Sequence, residues 1–237
     1  MPKKHKQEKR REDIMTTNHE MNKIFSVYGI AFFVMLVLEL VLMCAYPKLE
    51  LHLMLNSRHT EIQDTFYKYY STLAEWPLYV LALLPLCWKK YRYTIFFAIS
   101  EIVAGSISLI IKSNITSHRP LWSYDIEKLP LVEGVNMHHS NSFPSGHAST
   151  FFVFFTCIAL IFAYWYQQRA SQYDNRKKIL MYWAMFALFA LAALGAYSRV
   201  YLSQHFLADI CVGSLIGFVV TCLIFYFGKN IILKDTK

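Results

Sequence analysis

The chain has 237 residues, of which 55% are hydrophobic, 16% aromatic and 17% charged, and its formal net charge is +8. The apolar residues come in long blocks, which leaves little chain for a soluble domain. The basic residues sit in the tails and in turns between those blocks, which argues against a nucleic-acid surface and for a topology signal with attraction to anionic lipid.

A block of about 20 apolar residues crosses a bilayer as helix. Six are read, at 24–46, 71–88, 93–111, 147–166, 179–197 and 206–228. They predict an all-α polytopic membrane protein, a bundle of six transmembrane helices. Residues 1–23 form a basic tail, 24–228 one membrane-embedded domain and 229–237 a second short tail. The first apolar stretch is too long for a signal-peptide core and reads as an uncleaved anchor. It stops near Pro47. Residues 48–70 are mixed and polar, and Tyr67, Tyr69, Tyr70 and Trp76 form an interfacial aromatic belt. Pro77 suits the first turn of the second span, and Pro85 is expected to kink its far end.

Of the 24 lysines and arginines, 17 lie in the N-terminal tail, at Lys89, Lys90 and Arg92, between the fourth and fifth spans, or near the C-terminus. The other 7 lie on the opposite side. The positive-inside bias places the richer side, with both termini, in the cytoplasm. The expected location is a bacterial cytoplasmic membrane. Residues 113–146 are the longest outer segment, broken by Pro120, Pro130, Gly134 and Pro144. A loop of that length is expected to be functional. Its sequon, Asn114-Ile115-Thr116, lies too near the membrane for a glycan. Cysteines 44, 87, 157, 211 and 222 fall inside apolar blocks without metal-ligand spacing and are expected to be buried, inert thiols.

Three motifs cluster at the predicted outer ends of the spans: Lys112-x6-Arg119-Pro120, Pro144-Ser145-Gly146-His147, and Ser198-Arg199-x5-His205-x3-Asp209. Ser145 and Gly146 open the fourth helix, where unpaired N–H groups and the helix dipole favour an anion; Gly146 permits close backbone approach. Lys112, Arg119 and Arg199 can neutralise the non-bridging oxygens of a phosphate, the arginines through a planar fork. That is the charge stabilisation phosphoryl transfer needs, supplied by side chains with no metal. His205 and Asp209 are spaced i, i+4. A carboxylate on one ring nitrogen leaves the other free and more basic, which suits His205 as a nucleophile forming a phospho-enzyme. His147 is then the acid that protonates the leaving oxygen. Pro120, Pro144 and Ser198 complete the motifs structurally.

The set resembles the type-2 phosphatidate phosphatase family, which includes polyprenyl-diphosphate, phosphatidylglycerophosphate and lipid A phosphatases. All three family motifs match in order over residues 112–209. The resemblance implies a membrane helix bundle, a membrane lipid phosphate as substrate, no cofactor or metal, His205 as nucleophile, Asp209 as its orienter and His147 as acid. Vanadium haloperoxidases share the motifs but are soluble, which the apolar spans exclude. Two other readings remain: a phosphotransferase passing the same phosphoryl group to a lipid hydroxyl, and a non-enzymatic scaffold or lipid-binding protein. Intact motif residues argue against the latter. No signal for an oligomeric state is present. Glu39 and Glu101 lie mid-span and are expected to be protonated or to face a partner. His138 and His139 in the long loop are candidates to touch a headgroup.

Overall fold

The computed structural model describes residues 2–123, 129–138 and 140–232, apart from the side chains of 2–19, 78, 86–89 and 170. His139 therefore lies outside the described residues. These residues form helices and no strand. In chain order they are α1 (Pro2–Ala45), α2 (Lys48–Leu55), α3 (Glu61–Thr72), α4 (Trp76–Lys89), α5 (Tyr91–Asn114), α6 (Pro120–Ser123), α7 (Gly146–Gln167), α8 (Asn175–Tyr201) and α9 (Leu207–Ile232). The basic N-terminal stretch continues helically into the first span.

Among the described residues, five helices are long and apolar enough to cross a membrane: Glu20–Ala45, Tyr91–Asn114, Gly146–Gln167, Asn175–Tyr201 and Leu207–Ile232. The sixth expected span, the second in chain order, is not among them. The second block, read at 71–88, splits. Ser71 and Thr72 belong to the amphipathic α3, residues 73–75 turn, and α4 has only 14 residues. At about 1.5 Å per residue α4 reaches roughly 21 Å, short of the ~30 Å hydrocarbon core. Pro77 sits in its first turn and Pro85 inside it. Lys90 alone separates α4 from α5.

The centre of the bundle is α7, packed against α1, α5, α8 and α9. Phe32, Phe152 and Phe218 interlock three of these helices. The α7–α9 contact is close because Gly213 and Gly217 lie against backbone: a Cβ on either would come within 2.3 Å of the Ser145 or Ser149 carbonyl oxygen. Small residues one turn apart allow this approach in membrane bundles. The contact fixes the start of α9 against the start of α7, and the Ser145 N–H donates to the Asp209 carbonyl at 2.9 Å.

The intramembrane carboxylates both face neighbours. Thr150 of α7 donates to Glu101 Oε1, and buried Glu39 meets the Cys211 thiol of α9. Cys157 and Cys211 are buried and free as expected. Cys44, exposed, and Cys222, only partly buried, depart from the expectation. The Cys87 side chain lies outside the described residues.

Residues 48–70 fold over the site end of the bundle. Asn56 Nδ2 donates to Ser203 Oγ at 2.5 Å, and His59 bridges Asn56 Oδ1 and Asp64 Oδ1 at 2.7 Å each. Among the described residues Ser203 is the non-glycine residue with positive φ, at 53°. A non-glycine residue there is held by its surroundings at a cost of order 1–3 kcal/mol. The Asn56 bond and the Ser203 hydroxyl's bond to the Pro130 carbonyl at 3.2 Å supply that restraint.

Beside them His52 is 1% exposed, with Nε2 3.4 Å from Ser203 Oγ, and burial pushes its pKa down to about 4. Above pH 6.5 folded and unfolded chains both hold it neutral. Between 6.5 and about 4 the unfolded chain binds the proton and the folded one does not, so stability falls with pH. By pH 4 the loss amounts to about 3 kcal/mol. His205 acts in the same direction. Thermal unfolding of the detergent-solubilised protein should drop steeply between pH 6.5 and 4, and less steeply in His52→Gln. A pH-independent midpoint across that range would contradict this.

Candidate active site

The three motifs meet at one end of the bundle. Lys112 lies in the last turn of α5, Ser145 is the N-cap of α7, Arg199 is in the last turn of α8, and Asp209 is in the first turn of α9. Two placements differ from the sequence reading. Ser198 and Arg199 are still helical rather than following the helix. His205 precedes α9 rather than standing on it, because residues 202–206 make a tight corner. In that corner the N–H groups of Gln204 and His205 both donate to the Arg199 carbonyl, at 2.9 and 3.1 Å.

Arg119 is 5% exposed, and its guanidinium is anchored by backbone carbonyls. Nε donates to Ser140 O and Nη1 to Gln204 O, each at 2.8 Å. Nη1 also lies 3.4 Å from His205 Nε2. Arg199, equally buried, donates through Nη1 to Ser71 Oγ of α3, while its Nε has no partner among the described residues. Lys112 is within electrostatic reach of Arg119, Arg199 and Asp209. Three cations this close repel one another, an arrangement that favours an anionic ligand.

His205 is 2% exposed. Its Nδ1 lies 3.5 Å from Asp209 Oδ2 and 3.2 Å from Ser142 Oγ, and the Ser142 hydroxyl donates to that same Oδ2. Asp209 Oδ2 also accepts the Phe206 N–H at 2.9 Å. With its own proton on Asp209, Ser142 Oγ accepts from Nδ1–H, so the carboxylate acts on the imidazole largely through the serine. The lone pair is then on Nε2, which faces Arg119. Burial drives the His205 pKa down to about 3, with Arg199 and Arg119 adding to the effect and Asp209 opposing it. The ring is therefore neutral at physiological pH, the form in which a nitrogen can attack.

Ser145 caps α7 by accepting the Ala148 N–H at 3.4 Å. A Cβ on Gly146 would meet nothing within 4 Å, so the first turn of α7 opens onto free space. His147 follows at that edge. It borders a cavity of about 240 Å³ also lined by Ser71, Glu75, His138, Arg199 and Gln204. Pro120 begins α6 and is buried, Pro144 follows a cis peptide, and the Ser198 hydroxyl bonds back to Gly195 O at 2.6 Å. These three shape backbone.

Several site residues carry no motif signal. Asn141 ties the first motif's loop to the second: its Nδ2 donates to the carbonyls of Lys112 and Ile115, and its Oδ1 accepts from Ser117 N at 2.8 Å. Ser142, Ser71 and Gln204 likewise belong to no motif. A serine or asparagine in a polar loop looks like turn chemistry until its partner on another helix is known. Among the described residues no cluster of three or more His, Cys, Asp or Glu could hold a metal.

An all-helical integral membrane protein with histidines, cations and one carboxylate gathered at one end of its bundle is thus defined by its own geometry. A family model for the PAP2 superfamily matches residues 93–232, more than half the chain, and the chain belongs to that superfamily. It is 28% identical over 142 residues to lipid phosphate phosphatase gamma of Arabidopsis thaliana, a match covering 58% of this chain and 54% of that protein. The chain thus spans about half the length of that relative. Two crystal structures share the fold. LpxE of Aquifex aeolicus superposes with a TM-score of 0.58 at 21% identity, over 74% of this chain and 93% of that one. A transmembrane PAP2-type phosphatidylglycerolphosphate phosphatase of Bacillus subtilis gives 0.59 at 15% identity, over 88% and 98%.

Proposed function

We propose that the protein is a metal-independent phosphatase of a membrane lipid phosphate, working through a phosphohistidine on the outer face. The observation that carries this reading is the environment of His205, which is neutral, tethered at Nδ1, and has Nε2 directed at a guanidinium. In the first step His205 Nε2 attacks phosphorus and the P–O ester bond breaks. Its electron pair stays on the lipid oxygen, which takes a proton from His147. In the second step a water attacks phosphorus, the P–N bond breaks, and the water's proton passes to His147. Phosphate leaves and both histidines are restored. Arg119, Arg199, Lys112 and the N–H groups at the start of α7 stabilise the charge that builds on the non-bridging oxygens in both steps.

Membership in the PAP2 superfamily and the likeness to a lipid phosphate phosphatase support the substrate class. The outer-face assignment rests on the 17-to-7 division of basic residues, with α4 carrying the chain from the site end back to the side of Lys89, Lys90 and Arg92 before α5 begins. A phosphotransferase would use the same first step with a lipid hydroxyl replacing water in the second.

The test uses membrane vesicles of known sidedness carrying the full chain. Phosphate should be released from lipid phosphates in EDTA, by right-side-out vesicles without permeabilisation, and vanadate should inhibit. Release only after permeabilisation reverses the orientation. Loss in EDTA with restoration by Mg²⁺ defeats the cation-seat mechanism. Turnover that needs a lipid acceptor and frees no phosphate selects the transferase.

A further inference from the structure

The cavity beside His147 and Arg199 is also lined by a carboxylate, a group of the wrong charge for a phosphate. Glu75, in the turn between α3 and α4, is exposed to it and interacts electrostatically with Arg199 and His138. A carboxylate so close to a phosphate seat weakens anion binding unless the ligand brings a hydrogen-bond donor to it.

Gln204 shows the same need. Its side chain is 1% exposed and lines the same cavity. The amide is oriented by its partners: Nε2 donates to the Asn136 carbonyl at 3.2 Å and lies 3.1 Å from Met137 Sδ. A carbonyl can only accept, so the nitrogen belongs on that side. Oε1 is left buried with no partner among the described residues. A buried acceptor without a donor is costly, and a ligand hydroxyl is the group that satisfies it.

Gln204 adjoins His205 in the chain and lines the cavity that His147 and Arg199 border. We propose that Gln204 and Glu75 form a donor-reading subsite, and that the preferred substrate is a lipid phosphomonoester whose phosphate sits on a polyol. In such a lipid a glycerol or sugar unit carries a free hydroxyl close to the ester oxygen. This rests on the phosphatase reading and narrows its substrate. Phosphatidate has both remaining glycerol oxygens esterified, and a prenyl chain has no oxygen beyond its phosphates. Neither supplies the donor. A site that must desolvate a polar group discriminates strongly against ligands that leave it unpaired.

The experiment compares phosphate release by the reconstituted full chain from three lipids: phosphatidylglycerophosphate, phosphatidate of the same acyl composition, and a polyprenyl diphosphate. A fourth carries the glycerol hydroxyl as its methyl ether. kcat/KM should be about 10–100-fold higher for the hydroxyl-bearing lipid than for phosphatidate or the methyl ether, as expected for one or two hydrogen bonds. Glu75→Gln, at an exposed position, and the near-isosteric Gln204→Met should each shrink that ratio roughly tenfold. A merely structural role would lower all substrates together and leave the ratio unchanged. Phosphatidate or polyprenyl diphosphate turned over as fast as the polyol phosphate overturns the subsite and leaves the phosphatase reading standing. So does a ratio unmoved in both variants. Release from none of the lipids overturns both.

Discussion

His205→Ala should abolish phosphate release from every substrate, by about 10⁴-fold or more, because no phospho-enzyme can form without its Nε2. The loss should be independent of the leaving group. His205 is held from both sides, by Ser142 and Asp209 at Nδ1 and by Arg119 near Nε2. Alanine therefore removes the reacting atom while the cation seat and its backbone anchors remain. Substrate should still bind. Quenched reactions with labelled lipid phosphate should trap an acid-labile phospho-protein in the wild type and none in the variant. A labelled intermediate surviving in His205→Ala would assign the nucleophile elsewhere. Asp209→Asn and Ser142→Ala should fall short of this loss, since each removes orientation and basicity but leaves the imidazole.

His147→Ala should separate substrates rather than silence them. General-acid help is typically worth about 10²–10⁴-fold when the leaving group is poor. A lipid alkoxide is such a group, and its release should drop by that factor. An aryl phosphate leaves without a proton and should lose less than about tenfold. His147 lies in the first turn of α7 and lines the cavity, a position from which it can meet the leaving oxygen. Equal losses for alkyl and aryl phosphates in His147→Ala would place this histidine in phosphate binding instead.

Much of the architecture could be read from residue types and spacing. Four of the six expected spans correspond closely to α5, α7, α8 and α9, and the first to the apolar part of α1. Each is a long apolar run whose burial is decided along its own length. The second block differs because its mean apolarity hides a division. Residues 61–72 have one polar face, which caps the site, and α4 begins only after Glu75. The i, i+4 spacing of His205 and Asp209 predicted their encounter, although His205 stands before the helix. The corner that brings it back depends on Arg199 O and on the positive φ of Ser203.

The sequence by itself determined the membrane class, the helical content, the three motifs and their gathering at one end of the bundle. These follow from apolar run length, capping residues and charge placement, all of which are local. Only the tertiary structure decided how the charges are held. Ser142 reaches His205 across 63 positions, Ser71 reaches Arg199 across 128, and Asn56 reaches Ser203 across 147. Nothing near any of those serines or that asparagine distinguishes it from a turn or surface residue. Their roles arise when α7 and α9 close through Gly213 and Gly217 and when α2 and α3 cover the corner. A hydrogen bond between distant positions is specified by the packing of whole helices, and packing is a property of the assembled chain that no local pattern carries.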